Sequence, residues 1–489
     1  MKLPAARLLG IALGPALFSL AAFLPWPGLD PPAARAAGIV AWMAVWWMAE
    51  VVPLAVTAML PLVLFPACGI LKASAVAPPY ANHFVFLMLG GFFLAEALQR
   101  HGLHKRIALT IVTTVGGGPR RLVLGFMMAA AFLSLWLSNT ATAAMLFPIA
   151  LAVSGRVHAR GFTAALMLGT AYACNIGGMG TLVGTFPNVV LAGMLPDLIP
   201  GAQAPDFFAW MLMGIPLVVV LIPMGWLLLT TVAFPLPGRG ETGAAEIRAE
   251  LRALGPMSTG ELRTAMVFTL TALAWIGRRG IDLGQMGHIP GWAELLGLQD
   301  MVHDSTVAMA ATVALFLIPT GNREARGARL LESDALRRIP WHILLLFGGG
   351  FALAHGFVAS GLDQALGKGL AGMGALPLPL VLYGVCLGVS LLTEVNSNTA
   401  TVTTLLPLAA AAAPALGIPT APVLLAVTLS ASCAFMLPTA TAPNAIVFAA
   451  GAFTLRRMAG VGIIMNLLAA VVIAITAWFA RGLILSVVS

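Results

Sequence analysis

A chain of 489 residues with 60% hydrophobic and only 9% charged side chains is not a water-soluble enzyme, since soluble domains carry about 25% charged residues. Mean hydropathy is +0.97, and apolar runs of about 20 residues recur along the chain, the length a transmembrane helix needs. The net charge of +8 does not call for nucleic acid. Its basic residues lie in connections such as His104-Lys105-Arg106, Pro119-Arg120-Arg121 and Arg323 to Arg338, where the positive-inside rule puts topogenic charge.

In chain order, Lys2 and Arg7 precede an apolar run to Trp26, read as a first membrane helix because more spans follow at once. Further spans are predicted at about 38–70 (two packed segments), 83–117, 121–154, 162–195 and 208–235. A polar linker, 237–260, carries Arg239, Glu241, Glu246, Arg248, Glu250 and Arg252, and Ser258-Thr259-Gly260-Glu261 is a capping-box pattern that opens the next helix. Spans resume at about 261–282, 304–318, 341–365, 377–415, 421–450 and 458–486. Cys68, Cys174, Cys386 and Cys433 have no metal-ligand spacing and read as small buried residues.

The chain repeats itself. Gly90 to Leu103 aligns with Gly349 to Leu362 at 7 of 14 positions, 259 residues apart. Ser138–Ala150 aligns with Ser397–Ala409 at 8 of 13 positions with the same offset. A hydroxyl, Ser134 or Thr393, stands four residues before each Ser-Asn-Thr triplet. A third pair, Gly184-Thr185-Phe186-Pro187-Asn188 and Ala440-Thr441-Ala442-Pro443-Asn444, follows at offset 256. The expected organisation is therefore a first repeat, 1–236, the linker 237–260 and a second repeat, 261–489. Transporters built from such repeats bind substrate where the repeats meet, near the bilayer midplane.

Ser, Asn and Thr in sequence offer side-chain bonds that compete with the helix, so each triplet is expected to break a helix, at 138–140 and 397–399. Such breaks are tolerated in lipid only when buried or lining a cavity. Carbonyls ending the first half-helix suit a cation, and N–H groups opening the second suit an anion. No Lys or Arg occurs between Leu122 and Gly155, Gly161 and Leu236, or Gly369 and Thr454. A bound anion would thus meet helix N-termini, hydroxyls and amides, with co-bound cations neutralising it. Glu50, Glu96, Asp304, Asp363 and Glu394 are candidate intramembrane acids. No nucleophile–base or metal-ligand constellation points to an enzyme.

These residues resemble the divalent anion/sodium symporter family of sodium-coupled di- and tricarboxylate transporters. The matching stretches are W-M-A-E-V-V-P-L (47–54), G-G-F-F-L-A-E-A-L-Q-R-H-G-L-H-K-R-I-A-L (90–109), L-S-N-T-A-T-A-A-M (137–145), I-G-G-M-G-T-L-V-G-T-F-P-N (176–188), L-T-E-V-N-S-N-T-A-T (392–401) and A-S-C-A-F-M-L-P-T-A-T-A-P-N-A-I-V-F (431–448). The resemblance implies an all-α polytopic fold of two inverted repeats with broken helices and re-entrant hairpins, the hairpins near 83–103 and 341–362, working as an elevator in a homodimer of the cell (inner) membrane. It implies one sodium site at Ser134, Ser138, Asn139 and Gly184 and a second at Thr393, Asn396, Asn398 and Ala440. Substrate carboxylates would meet Ser138, Asn139, Thr140, Thr185, Ser397, Asn398, Thr399 and Thr441. Phe186 and Ala442 stand where the family often has Pro, which makes them selectivity candidates. The implied activity is Na⁺-coupled uptake of C4-dicarboxylates such as succinate, malate and fumarate. Sodium-independent exchange, citrate or sulfate symport, and a cation/proton antiporter using Glu394 and Asp363 are the alternatives.

Overall fold

A computed structural model describes residues 5–238, 244–282, 288–322, 327–370 and 377–488; Arg239 and Glu241 of the linker and Arg323 lie outside them. The described chain is helical apart from small irregular pieces and one two-residue ladder, Ile281–Asp282 antiparallel to His288–Ile289. Four helical stretches are long and apolar enough to cross a membrane: Ala73–Arg100, Phe207–Ala233, Trp341–Ala359 and Leu455–Phe479. The N-terminal apolar run is the helix Ala5–Phe23. Within the polar linker lies a helix, Ala244–Ala253, which packs on Leu103–Val115. Ser258 and Glu261 form the capping box that their spacing predicts, each side chain accepting the other's backbone N–H.

The two halves list their helices in the same order. His83–Arg100, Leu103–Val115, Pro119–Ser134, Asn139–Ser154, Phe162–Gly178, Phe186–Leu198 and Phe207–Leu227 make the first series. Trp341–Ala359, Leu362–Leu370, Leu378–Thr393, Asn398–Ala415, Thr420–Ser430, Ala442–Phe448 and Leu455–Val488 make the second.

The hairpins are not where the resemblance put them. Residues 83–103 and 341–362 hold single continuous helices, His83–Arg100 and Trp341–Ala359. Each ends before a glycine at φ +73°, Gly102 or Gly361, a backbone state that favours glycine and closes a helix. Nothing inside either helix breaks the hydrogen-bond ladder: the Gly90-Gly91 and Gly348-Gly349-Gly350 runs serve packing instead. A methyl on Gly90 would stand 2.5 Å from Ala308 Cβ, and one on Gly349 would run into the Ala58 carbonyl.

The chain doubles back at the Ser-Asn-Thr triplets. Pro119–Ser134 runs parallel to Phe162–Gly178, with Val123 and Met127 against Gly169 and Ala131 against Gly177. Asn139, where the next helix begins, lies beside Gly178. Asn139–Ser154 also packs on Phe162–Gly178, and only residues 155–161 join its far end to Phe162. It must therefore run back, antiparallel to Pro119–Ser134. In the second half Thr393 reaches Ala431, just past Thr420–Ser430. Asn398–Ala415 packs on that helix and joins it through residues 416–419. What a broken helix was expected to do is thus done by a hairpin tip.

Candidate functional site

Each tip is a local consequence of its residues. Ser138 and Ser397 sit in extended backbone, φ −60° and −61°, as N-cap residues do. Ser138 Oγ accepts the Ala141 N–H at 3.3 Å. Ser134 Oγ donates to Asn139 Oδ1 at 2.5 Å. Thr393 Oγ1 lies 2.7 Å from Asn398 Oδ1 and 2.9 Å from the Ala431 carbonyl, and its one proton can serve either. The upstream hydroxyl orients the Asn amide in both halves.

The two Thr-x-Pro-Asn motifs build the second wall. Thr185 and Thr441 are N-caps of Phe186–Leu198 and Ala442–Phe448, each with Pro in the first turn. Asn188 Nδ2 donates to the Gly178 and Thr181 carbonyls at 3.0 and 2.7 Å. Asn444 Nδ2 donates to Ala434 and Leu437 at 3.0 Å each, on carbonyls 256 positions later. These bonds satisfy carbonyls freed where the preceding helix unwinds. Gly184 is needed for close approach: a Cβ there would stand 2.6 Å from the Gly178 carbonyl and 2.8 Å from that of Ser134. Oxygens of Ser134, Asn139 and Gly178 therefore gather around Gly184, a hard-oxygen set of the kind alkali cations take.

All four motifs face one cavity of about 690 Å³. Ser138, Asn139, Thr140, Gly184, Thr185, Phe186, Asn396, Ser397, Asn398, Thr399, Ala440, Thr441 and Ala442 line it. Ser134 and Thr393 are fully buried behind the tips and reach the cavity only through their Asn partners. Phe186 both lines the cavity and packs edge-on to Phe92 and Phe347, with centroids 6.4 and 5.7 Å away.

Three features were not legible. Asn175 lines the cavity and stitches the halves together, donating to the Ala434 carbonyl at 3.1 Å and Thr441 Oγ1 at 3.3 Å; an amide within T-A-Y-A-C-N-I-G-G was the available signal. Tyr172, one turn earlier, donates its hydroxyl to the Phe435 carbonyl at 3.0 Å. The fold also brings a guanidinium, Arg338, to the cavity wall, correcting the expectation that an anion there meets none.

Of the acids, Glu50 and Glu96 line the cavity, and Glu50 holds a φ of +44°, unlike any other described non-glycine residue. Glu394 turns away from it. Its Oε1 accepts the Phe435 and Met436 N–H groups at 2.7 and 2.9 Å and Asn466 Nδ2 at 3.0 Å, and its Oε2 accepts Leu437 N–H at 3.0 Å. Asp304 is tied to Arg278 at 2.5 Å and to the Phe207 N–H at 2.7 Å. Asp363 is not among the lining residues. The pair an antiporter would need is not brought together in the cavity.

Comparison with known proteins covers the whole chain. The family described as the sodium:sulfate symporter transmembrane region matches residues 6–486. The sodium-dependent dicarboxylate transporter SdcS of Staphylococcus aureus (strain NCTC 8325 / PS 47) is 36% identical over 505 aligned residues, covering 99% of this chain and 93% of that protein. Among solved structures, the Alcanivorax borkumensis YdaH transporter aligns over 98% of this chain and 99% of its own, with TM-score 0.55 and 16% identity. Neisseria gonorrhoeae MtrF, of a class of antimetabolite efflux pumps, aligns over 97% of this chain and 95% of its own, with TM-score 0.55 and 12% identity. At those identities the two structures speak for the fold alone, a polytopic helical membrane fold.

Proposed function

The chain belongs to the sodium:sulfate symporter family, the divalent anion/sodium symporters, and from that premise we propose that it is a multi-pass cell-membrane transporter that couples inward Na⁺ flow to uptake of C4-dicarboxylates. The observation that carries the reading is the convergence of two Asn-bearing tips and two Thr-x-Pro-Asn turns on one cavity. One sodium ion is held by Ser134, Ser138, Asn139 and Gly184, the other by Thr393, Asn396, Asn398 and Ala440. The two carboxylates of the substrate lie on Ser138–Thr140 with Thr185 and on Ser397–Thr399 with Thr441. Cations bound at the tips offset the dianion, and helix N-termini supply N–H donors. Phe186 on one side and Ala442 on the other favour a short, unbranched dianion over citrate, whose third carboxylate costs desolvation without a cationic side chain among the tip and turn residues.

The two helix series are inverted repeats whose hairpins enter the membrane without crossing it. Their helices of 16 residues, Pro119–Ser134 and Asn139–Ser154, are about 24 Å long at 1.5 Å per residue, short of a hydrocarbon core of about 30 Å. The hairpins and the helices they pack on move as an elevator against a homodimeric scaffold.

Uptake into proteoliposomes tests this. Succinate should accumulate under an inward Na⁺ gradient, with more than one Na⁺ per dianion. Asn139→Ala or Asn398→Ala should lower uptake at least about 100-fold, since each removes bonds to charged groups that contribute about 1.5–3 kcal/mol apiece, in protein that still elutes as the wild type does. Equal uptake in choline and sodium buffers would establish exchange instead, and loss only on collapse of a proton gradient would establish antiport.

A further inference from the structure

We propose that Arg338 is a second, shallower carboxylate site at the mouth of the cavity, where the dianion pauses between the Ser-Asn-Thr tips and the cytoplasm. The proposal rests on the dicarboxylate reading above.

The wall of the cavity made by His83–Arg100 shows how the two sites are spaced. Met88, Gly91, Phe92, Ala95, Glu96 and Gln99 line it, one face of a helix at i, i+3, i+4 spacing. Phe92 packs on Phe186 and marks the level of the Thr185 turn. Glu96 lies one turn further on, about 6 Å at 1.5 Å per residue. Opposite Glu96, the short helix Ala335–Arg338 ends in Arg338, which lines the same cavity and reaches Glu96 through its guanidinium.

Arg338 is held ready rather than saturated. Its Nη1 donates to Glu96 Oε1 at 2.9 Å and its Nη2 lies 3.4 Å from Asp334 Oδ2. Asp334 is itself fixed by Arg100 at 2.8 Å. A guanidinium has five N–H donors, so two contacts leave three for a carboxylate. The side chain is 58% exposed, open to an arriving ligand. Among the described residues that line the cavity, Arg338 is the only Lys or Arg, while Glu50 and Glu96 line the same cavity. Without the guanidinium a dianion would meet two carboxylates with no Lys or Arg of the lining to offset them. The repeat gives no counterpart: 259 positions earlier stands Pro79, so the second site belongs to one mouth only.

The mouth faces the cytoplasm. Arg100, Lys105, Arg106, Arg263, Arg329 and Arg338 meet at this end of the molecule, joined to Asp334, Glu250, Glu261, the carbonyls of Pro319 and Leu317, and Glu96. The opposite end of the same helix, where His83 packs on His303, has fewer: Arg278 and Arg279, tied to Asp304 and Asp206. An excess of Lys and Arg marks the cytoplasmic side.

Sided transport separates this site from the deeper one. In vesicles of known orientation carrying the full chain, Arg338→Gln should raise the succinate KM about five- to tenfold, a loss of the size of one exposed charge-assisted bond, when substrate is offered at the cytoplasmic face. The KM from the outside and the Na⁺ dependence should change less than about twofold. Arg338→Lys should fall between wild type and Gln, because a single ammonium keeps the charge but not the fork. Glu96→Gln breaks the same ion pair yet should lower the cytoplasmic KM, by freeing a donor and removing a repelling charge. If Glu96→Gln instead raises it as Arg338→Gln does, the pair is structural and the proposal is overturned. Equal shifts at both faces, or none, overturn it as well. A wild-type protein that carries no dicarboxylate under a Na⁺ gradient defeats the functional reading before any variant is compared.

Discussion

The first and second hairpin tips bond alike but are braced differently. In both, a hydroxyl five residues upstream holds the Asn, and the Asn of the Pro-Asn turn caps two carbonyls at repeat-related positions. Around the first turn the braces are neutral: Thr181 Oγ1 donates to the Leu135 carbonyl at 2.5 Å, and Trp210 Nε1 donates to that of Met179 at 3.0 Å. Around the second the brace is a carboxylate, Glu394, which takes three consecutive backbone N–H groups and the Asn466 amide. Its repeat partner, 259 positions earlier, is Leu135. Duplication kept the bonds that face the cavity and let the support behind them diverge. Glu394 is thus a structural acid, and its neighbourhood to Thr393 in the chain is a poor guide to its direction.

The largest expected effect breaks that asymmetry. Glu394→Ala leaves four donors without an acceptor, two buried and two half-buried, each buried one costing about 1–3 kcal/mol. Thr181→Val strands two groups at the first turn, the Leu135 carbonyl and the Gly184 N–H that its hydroxyl bonds, half as many as Glu394→Ala, each again about 1–3 kcal/mol. Thermal unfolding in detergent should therefore show a larger drop for Glu394→Ala; equal drops would mean the two turns are braced equally. A smaller effect separates Gly184 from Ala440. Gly184→Ala puts a methyl against two backbone carbonyls and should cost about 1–3 kcal/mol as overpacking, with a weaker apparent Na⁺ affinity. Ala440→Gly changes mainly backbone freedom, about 1 kcal/mol or less, and should leave the Na⁺ dependence close to wild type. A Gly184→Ala protein with an unaltered Na⁺ titration would separate the proposed first cation site from this glycine. The smallest effect concerns Phe186→Gly, which opens the cavity beside Phe92 and Phe347. Succinate should compete more strongly than citrate in the wild type, and the ratio should narrow a few-fold in the variant, in keeping with the about 1–3 kcal/mol that apolar pocket contacts discriminate. Stronger inhibition by citrate at pH values where it is dianionic and where it is trianionic would overturn this reading of the pocket.

The amino-acid sequence by itself determined the class, the duplication and the motif residues, because each is local. Hydropathy is a property of a segment, the 259-residue offset of an alignment, and a helix end at Ser138 or Ser397 of the competition between side-chain and backbone bonds. Even the capping box at Ser258 and Glu261 is a four-residue affair. What only the tertiary structure decided is non-local. A stop in a helix does not say whether the chain goes on or turns back; the packing of Asn139–Ser154 on Phe162–Gly178 and its short connection decided that, and moved the hairpins from 83–103 and 341–362 to the triplets. The glycine runs that looked like hairpin turns are contact surfaces, since a missing Cβ leaves room equally for a bend or for a neighbour. Asn175, 266 positions from Thr441, and Arg338, 242 from Glu96, entered the cavity because helix packing put them there. A side chain's direction is set by what its helix faces, and that is fixed only once the whole bundle is assembled.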